Sequence, residues 1–378
     1  MKKIFLYSFL TALTCATSLL AQGHGVLDSL GKEANVLVYS NPELAIEKAF
    51  ELYQLSNDDP VYQVNALLTV ANGYAVLKEH DQVFEYALKA DSIAEVHKNY
   101  TDQVRVLGFI GGQYQRLKLG GRALTYLDRA YNLSVKYPLP DSLEFIQGNI
   151  LFVKGLIKKD DLGCRYALPY FNDAATVFEN NKDKKTIYAS LAIAYNNIGD
   201  CNFLIEEYTE AKKNYTKAIR YAEEINATKN IAYSKLGLAK LLSKEERYDE
   251  SIKLLEKAFS SIKDVNDTQM NTQILKALSE DYAQVGNDEK YNEYVQLYLE
   301  EEKKLLEEEK KTLNRITDEL EIESQEKSQN QKNTYVYIFL FIGIILFFLL
   351  GYVVNKIVKK RRKIAASKEK IKKSSTKS

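Results

Sequence analysis

The stretch YNNIGDCNFLIEEYTEAKKNYTKAI, residues 195–219, decides the fold of this 378-residue chain. Its small and large side chains stand at fixed spacings, namely Ile198-Gly199, Tyr208, Ala211, Tyr215 and Ala218. Similar series begin about forty residues later at Leu238-Ala239 and, after a further forty, at Leu278-Ser279. Recurrence at a fixed period predicts stacked helix pairs, because one pair cannot bury its apolar stripe alone.

The same spacing extends towards the N-terminus. Three earlier series start at Ala71, Gly111 and Gly155, each followed by large and small residues (Tyr74, Val83, Ala87 and Ala90; Tyr114, Ala123, Leu127 and Ala130; Ala167, Phe171 and Ala174). A weaker first unit carries Ala45 and Ala49 on a helix that Asn41-Pro42 opens. Here we expect Asn41 as the N-cap and the proline at the first helical position.

The pattern resembles the tetratricopeptide repeat, a helix-turn-helix unit in which small residues let two helices approach closely. The resemblance covers about residues 26–300 and implies an all-α, right-handed helical solenoid of about seven helix pairs over residues 22–298. The spacing of 38 to 44 residues exceeds the family's 34, so we expect each helix to be about one turn longer. Two positions depart from the family pattern, because Asn202 and Lys158 stand where the family usually has tyrosine. The alternative fold is an unrelated helical bundle.

Two apolar segments lie outside the repeats. Residues 1–21, MKKIFLYSFLTALTCATSLLA, have the lysines, apolar run and small terminal residue of a cleaved signal peptide. An uncleaved anchor helix and a lipid-modified Cys15 are the alternatives. Residues 335–354, YVYIFLFIGIILFFLLGYVV, contain no charge and are long enough to cross a bilayer. We therefore predict one transmembrane helix.

The charge distribution orients that helix. The last 24 residues contain nine Lys, two Arg and one Glu, giving +10, while the preceding 354 carry −9. Basic residues directly after the span place residues 355–378 in the cytoplasm (Lys359, Lys360, Arg361, Arg362 and Lys363). The sequence thus predicts a single-pass type I protein of the bacterial inner membrane, with its repeats in the periplasm.

A charged helix is expected to join the repeats to the span over residues 299–334. Leucines recur every seven residues (Leu299, Leu306, Leu313 and Leu320), but the second heptad position mostly holds charges. A coiled coil and a homodimer therefore stay open. In the tail, isoleucines recur every seven residues among lysines (Ile357, Ile364 and Ile371). The tail therefore either lies along the membrane surface with its lysines on anionic lipid head groups, or serves only as a stop-transfer anchor.

Motifs for catalysis are missing from the sequence. It has no GxxxxGK loop, no HExxH and no GxSxG, and its three histidines, His24, His80 and His97, lack a metal-ligand spacing. The basic run has no interleaved aromatic residues, which argues against nucleic-acid binding. We expect no enzyme activity, no cofactor, no metal and no nucleic-acid partner.

Two cysteines, Cys164 and Cys201, lie after the predicted signal peptide. The repeat frame brings them near each other in an oxidising compartment, so they either form a disulfide or stay as buried free thiols. The sequence favours free thiols.

A solenoid of this kind offers a concave surface formed by the first helix of each pair. The repeat frame places eight polar residues there: Arg105, Gln115, Arg116, Asn149, Asn196, Asp200, Lys240 and Lys244. The leading hypothesis is a non-enzymatic, membrane-tethered scaffold that binds a protein or peptide in the periplasm. The layout also resembles the sensory region of bacterial repeat-containing signalling proteins. The alternative is therefore a receptor without its own output domain that acts through a cytoplasmic partner.

Overall fold

The computed structural model describes residues 25–263, 265 and 267–375, so the predicted leader lies outside the described residues. Within these residues the chain forms fourteen α-helices and a short 3-10 turn, and no strand. The prediction of an all-α protein is confirmed.

The helices follow one another as antiparallel pairs. The odd-numbered helices, which open each pair, are α1 (25–37), α3 (Pro60–Leu77), α5 (Tyr100–Arg116), α7 (Phe145–Leu162), α9 (Tyr188–Leu204), α11 (Thr228–Lys244) and α13 (Thr268–Gln284). The even-numbered helices are α2 (Pro42–Leu55), α4 (His80–Val96), α6 (Gly120–Lys136), α8 (Cys164–Asn180), α10 (Tyr208–Glu223), α12 (Tyr248–Ile262) and α14 (Asp288–Ser375). The 3-10 turn, Lys185–Ile187, precedes α9.

The N-terminus of α2 follows the expected local chemistry. The Asn41 side chain accepts a hydrogen bond from the Leu44 N–H at 3.2 Å, and Pro42 occupies the first turn. The cap satisfies a donor that has no partner inside the helix, while proline lacks that donor. The predicted helix start is confirmed.

The odd helices form the inner side of the stack. Besides packing on its own even helix, an odd helix brings Cα atoms within 8 Å of the next odd helix at α3–α5, α5–α7, α9–α11 and α11–α13. Apolar clusters are joined along the stack, because Tyr114 and Tyr131 each pack against two of them. The result is a tetratricopeptide-like helical solenoid with a nearly continuous core.

Glycines in the odd helices receive large side chains from the even helices. A Cβ atom added to Gly111 would lie 2.5 Å from Leu127, and one added to Gly155 would lie 2.6 Å from Phe171. The corresponding distance from Gly199 to Tyr215 is 2.8 Å. In all three pairs the large residue follows the glycine by sixteen positions. Real Cβ atoms do not approach other atoms this closely, so these small residues permit the close packing that the repeat pattern indicates.

Six of the seven turns from an odd to an even helix use the left-handed backbone region. Six residues there have φ between 58° and 86° (Lys78, Lys118, Gly163, Glu206, Glu246 and Gly286). After Glu206, for example, the Glu207 N–H donates to the Asn202 carbonyl at 2.8 Å. This geometry closes a helix C-terminus and favours glycine, yet four of the six turns carry Lys or Glu.

The contacts divide the chain into a unit ending at Leu306 and a second unit that starts at Glu307. In the second unit, residues 335–362 form a 28-residue helical segment that is apolar and long enough to cross a membrane. Leu299, Leu306 and Leu313 are all exposed, at 47%, 59% and 64%. The side chains of Leu320, Lys363, Ile364 and Ile371 lie outside the described set.

Candidate partner-binding groove

An open groove lies between α11 and α13 in the described part of the solenoid. Its volume is about 770 Å³. The walls are Lys240, Ser243, Lys244, Gln273, Lys276, Ala277, Glu280, Asp281 and Gln284, with Phe203 and Tyr248 at its margin. Because α11 and α13 are odd helices, the groove lies on the inner side of the stack, where the repeat resemblance places a partner.

A hydrogen-bonded trio forms the floor of the groove. The Ser243 hydroxyl lies 3.0 Å from a carboxylate oxygen of Asp281 and 2.9 Å from the Ser251 hydroxyl. Asp281 is only 3% exposed, and its burial raises the pKa of its carboxyl group despite the bonds from both serines. The trio ties α11, α12 and α13 together, so the groove has a fixed base.

Beside the groove, Asp200 is the centre of a second polar cluster. Its two carboxylate oxygens accept hydrogen bonds from the Tyr215 hydroxyl at 2.7 Å and the Tyr233 hydroxyl at 2.5 Å. The Lys159 ammonium lies 3.9 Å from the second oxygen. Burial and the Asp200 charge raise the pKa of both tyrosines, so both hydroxyls stay protonated as donors. Four helices, α7, α9, α10 and α11, meet at this carboxylate.

Three of the residues predicted for the concave face have internal partners. Asn196 is 2% exposed, and its side-chain oxygen accepts from the Ser234 hydroxyl at 2.6 Å, so the prediction of an accessible partner contact is corrected. Arg105 donates to Asn65 at 2.8 Å and Asp102 at 2.5 Å. Asp200 has both oxygens occupied, as described above. These side chains join one odd helix to the next.

The other five predicted residues lie in three separate places. Lys240 and Lys244 line the α11–α13 groove. Gln115 lines a smaller cavity of about 290 Å³ with Lys118 and Asp160, which form an ion pair at 2.9 Å. Arg116 and Asn149 are exposed elsewhere on odd helices. The structure therefore brings only two of the eight predicted residues together in the main groove.

The predicted surface contains no residue of the α13 wall. The last predicted residue is Lys244 on α11. One further repeat of forty residues leads from Lys240 to Glu280 and from Lys244 to Gln284, both on α13. Gln273 and Lys276, also on α13, complete this wall. The last repeat has Asp288 where earlier ones have Tyr208 and Tyr248, so its pattern is the weakest.

The cysteine pair differs from the interpretation that the sequence favoured. Cys164, at the start of α8, and Cys201, near the end of α9, form a disulfide with a Cα–Cα distance of 4.9 Å. Stacking brings the two Cα atoms within the range that a disulfide spans.

The basic residues of the tail that the structure describes are exposed on α14. Lys359, Lys360, Arg361 and Arg362 all face solvent. Among the side chains that are described, no group of His, Cys, Asp and Glu is arranged to hold a metal ion.

Comparison with protein families supports the repeat class. The tetratricopeptide repeat model matches residues 190–264, which include most of α9 and all of α10, α11 and α12. The sequence matches none of the curated proteins with which it was compared.

Two solved structures with TM-scores of 0.50 or more share the fold at low identity. The apo form of RapI is 16% identical and superposes with a TM-score of 0.56, covering 74% of this chain and 99% of that one. Aspartyl phosphate phosphatase F from Bacillus subtilis is 15% identical, with a TM-score of 0.50 and coverages of 72% and 71%. A complex of NprR with its cognate peptide NprX gives 15% identity, coverages of 72% and 76%, and a TM-score of 0.47. The chain is a tetratricopeptide-like helical solenoid.

Proposed function

We propose that this protein is a membrane-tethered, non-enzymatic scaffold whose solenoid binds a protein or peptide partner. The observation that carries the proposal is the α11–α13 groove, which lies on the inner side of the stack and has a fixed floor. A volume of about 770 Å³ is in the range of sites that hold several side chains of a ligand. Repeat proteins use such extended inner surfaces for binding.

The phosphatase name of one similar structure does not extend to this chain, because 15% identity reports the fold alone. The described polar clusters are consistent with a scaffold. Asp200 and Asp281 accept hydrogen bonds from tyrosines and serines of neighbouring helices, and these bonds hold helices in register.

The proposed tether is the apolar segment 335–362, and the proposed side for the solenoid is the periplasm. Support comes from the apolar side chains of the segment, whose exposure to water is unfavourable, and from the lysines and arginines at its C-terminal end. The leader-like residues 1–21 point in the same direction. Alkaline-phosphatase fusions after residue 306 and after residue 378 test this topology. Activity is expected for the first fusion only.

Partner capture tests the groove. In the full-length protein, a photo-crosslinking residue replaces Gln273. The protein is irradiated in intact membranes, and the captured proteins are identified by mass spectrometry. Lys244→Glu with Lys276→Glu should abolish capture, because the substitutions invert the charge of both walls. Lys257→Glu on α12 is the matched control, since Lys257 is equally exposed outside the groove. Capture that survives the double substitution would refute the groove as the binding site.

A further inference from the structure

Two neighbouring turns of the solenoid carry exposed apolar side chains outside the groove. Leu162 ends α7 and is 54% exposed, and Leu204 ends α9 and is 64% exposed. The following helices add Tyr166 on α8 and Tyr208 on α10, which are 60% and 38% exposed. We call these four side chains the edge patch, because they lie where odd helices turn into even ones. Contiguous apolar surface on a folded domain marks an interaction site.

The disulfide holds the two turns of the edge patch together. Cys164 is the first residue of α8, and Cys201 lies in the last turn of α9. Their Cα atoms are 4.9 Å apart, which places the start of α8 beside the end of α9. In the second turn, the ring centroids of Phe203 and Tyr208 are 5.6 Å apart. The apolar side chains of both turns are therefore fixed side by side before a partner binds, and such preorganisation lowers the cost of association.

The neighbouring turns on either side lack such a patch. Among the described residues between Val96 and Val135, which include the α5–α6 turn, no large apolar side chain is exposed. The same holds for the described residues between Tyr208 and Val285, which include the α11–α12 turn. The edge patch is therefore bounded on both sides along the stack.

The α9–α10 turn also differs in charge from the next equivalent turn. Forty residues after Glu207 the chain has Arg247, which forms ion pairs with Glu245 and Glu250, both at 2.7 Å. The α9–α10 turn has no such cation. The side chains of Glu206 and Glu207 make no hydrogen bond or ion pair with other residues that the structure describes. Their charges are therefore left for an outside group.

The surroundings of the edge patch are acidic as a whole. Residues 160–166 and 204–210 contain five exposed carboxylates and one exposed arginine (Asp160, Asp161, Glu206, Glu207, Glu210 and Arg165). Two of the carboxylates have internal partners, because Asp160 pairs with Lys118 at 2.9 Å and Glu210 with Lys213 at 3.2 Å. Three carboxylates and Arg165 remain unpaired among the described residues.

We propose that the edge patch docks a basic amphipathic segment of a partner protein. The apolar side chains of that segment cover the four patch residues, and its lysines or arginines lie beside the unpaired carboxylates. Charge complementarity selects this occupant, because an acidic surround attracts a basic segment and repels an acidic one. A second copy of this chain fits less well, since a two-fold interface sets the same acidic surfaces against each other. None of the four residues lines the α11–α13 groove, so the patch is a second contact surface of the proposed scaffold.

The test uses the full-length protein in detergent micelles and three short synthetic peptides with the same helical pattern. The first peptide has leucines on one face and lysines on the other. The second has glutamates in place of the lysines, and the third has serines in place of the leucines. Amphipathic peptides also bind micelles, so the readout must report on individual side chains of the protein.

Hydroxyl-radical footprinting, quantified by mass spectrometry, provides that readout, because it measures the exposure of single side chains. The leucine–lysine peptide should slow labelling of Tyr166 and Leu204 severalfold, while Leu88, an exposed leucine of α4, keeps its rate. The other two peptides should leave all three rates unchanged. Equal protection of Leu88, equal protection by the leucine–glutamate peptide, or no protection would overturn the proposal. Protection without peptide as the protein concentration rises would assign the patch to a second copy and also overturn it.

Charge reversal provides a second measurement. Glu206→Lys with Glu207→Lys should weaken binding of the leucine–lysine peptide about tenfold, read from protection of Leu204, because two complementary charges become repulsive. Glu245→Lys with Glu246→Lys is the matched control, since it makes the same change of charge one turn along the stack. Equal weakening by both variants, or unchanged binding in the first, would overturn the proposal. Crosslinking from position 273 tests the groove separately, so capture that survives these failures would leave the scaffold function intact.

Discussion

Gly237 on α11 lies against the face of the Tyr215 ring, and a Cβ atom added to this glycine would lie 2.3 Å from the ring. Tyr215 comes from α10 and is 1% exposed. Gly199 of α9 approaches the same ring from within its own helix pair. One aromatic side chain thus fills the space between two successive odd helices and positions its hydroxyl on Asp200.

Gly237→Ala should destabilise the solenoid by about 2 kcal/mol, because the added methyl group forces the Tyr215 ring out of a closed space. The free energy of unfolding measures the effect. Gly112→Ala is the matched control, since nothing lies within 4 Å of an added Cβ atom there. The control should gain about 0.5–1 kcal/mol from helix propensity. Equal effects of the two substitutions would contradict the packing argument.

Glu206→Gly should raise stability by about 0.5–1 kcal/mol. Glu206 has a φ of 66°, and its side chain makes no hydrogen bond or ion pair with other residues that the structure describes, so glycine relieves backbone strain without removing an interaction. Glu207→Gly serves as the control, because the φ of Glu207 is −84° and glycine offers no relief. A chemical denaturation midpoint for each variant distinguishes the two. A loss of stability at Glu206 would argue against the strained turn.

Glu179 should stabilise the fold in a pH-dependent manner. Burial raises the pKa of Glu179, but hydrogen bonds from Tyr221 and Tyr195, both at 2.8 Å, outweigh it, and the pKa lies below its ordinary value of 4.5. A carboxylate with a depressed pKa contributes stability above its unfolded-state pKa and loses it as the pH falls through the folded-state pKa.

The substitution Glu179→Gln tests this. It should lower the free energy of unfolding by about 1 kcal/mol at pH 7, because neutral hydrogen bonds replace charge-assisted ones. The difference from wild type should shrink as the pH falls below 4.5. Thermal unfolding across this range measures it, with the exposed Glu206→Gln as the control. A difference that stays constant with pH would rule out titration of Glu179.

The disulfide should form under oxidising conditions and should stabilise the protein. Cys164 and Cys201 are 37 residues apart in the sequence, so loop closure in the unfolded state predicts about 3–4 kcal/mol. The double substitution Cys164→Ser and Cys201→Ser should lower the unfolding free energy by about this amount. Mass mapping without reductant should recover the two cysteine peptides as one linked species. Recovery of both as free thiols would exclude the bond.

Local features were predictable where a residue's effect depends on near neighbours. Asn41 caps α2 because its side chain reaches a donor three residues ahead. The small residues Gly111, Gly155 and Gly199 were predicted to allow close helix packing, and each faces a large residue sixteen positions later in the same pair. Both effects act within one repeat.

The site was less predictable because its contacts cross repeats. Asn196 and Asp200 share the odd-helix pattern with Lys240, yet their partners Ser234 and Tyr233 are 38 and 33 residues away. Whether a polar side chain faces a neighbouring helix or an open groove depends on the separation of adjacent odd helices. That separation is small between α9 and α11, where hydrogen bonds fill the space, and a groove opens between α11 and α13.

The sequence by itself determined the repeat, the helix pairs, the apolar segment of α14 and the opposite charges on its two sides, because period, hydropathy and net charge belong to the chain. Only the tertiary structure decided that Cys164 meets Cys201, that Asp200 is occupied by Tyr215 and Tyr233, and that Lys240 makes no hydrogen bond or ion pair with another described residue. These outcomes depend on how far each helix pair is shifted and rotated against the next. A displacement of a few ångströms makes or breaks a hydrogen bond while leaving the sequence pattern unchanged.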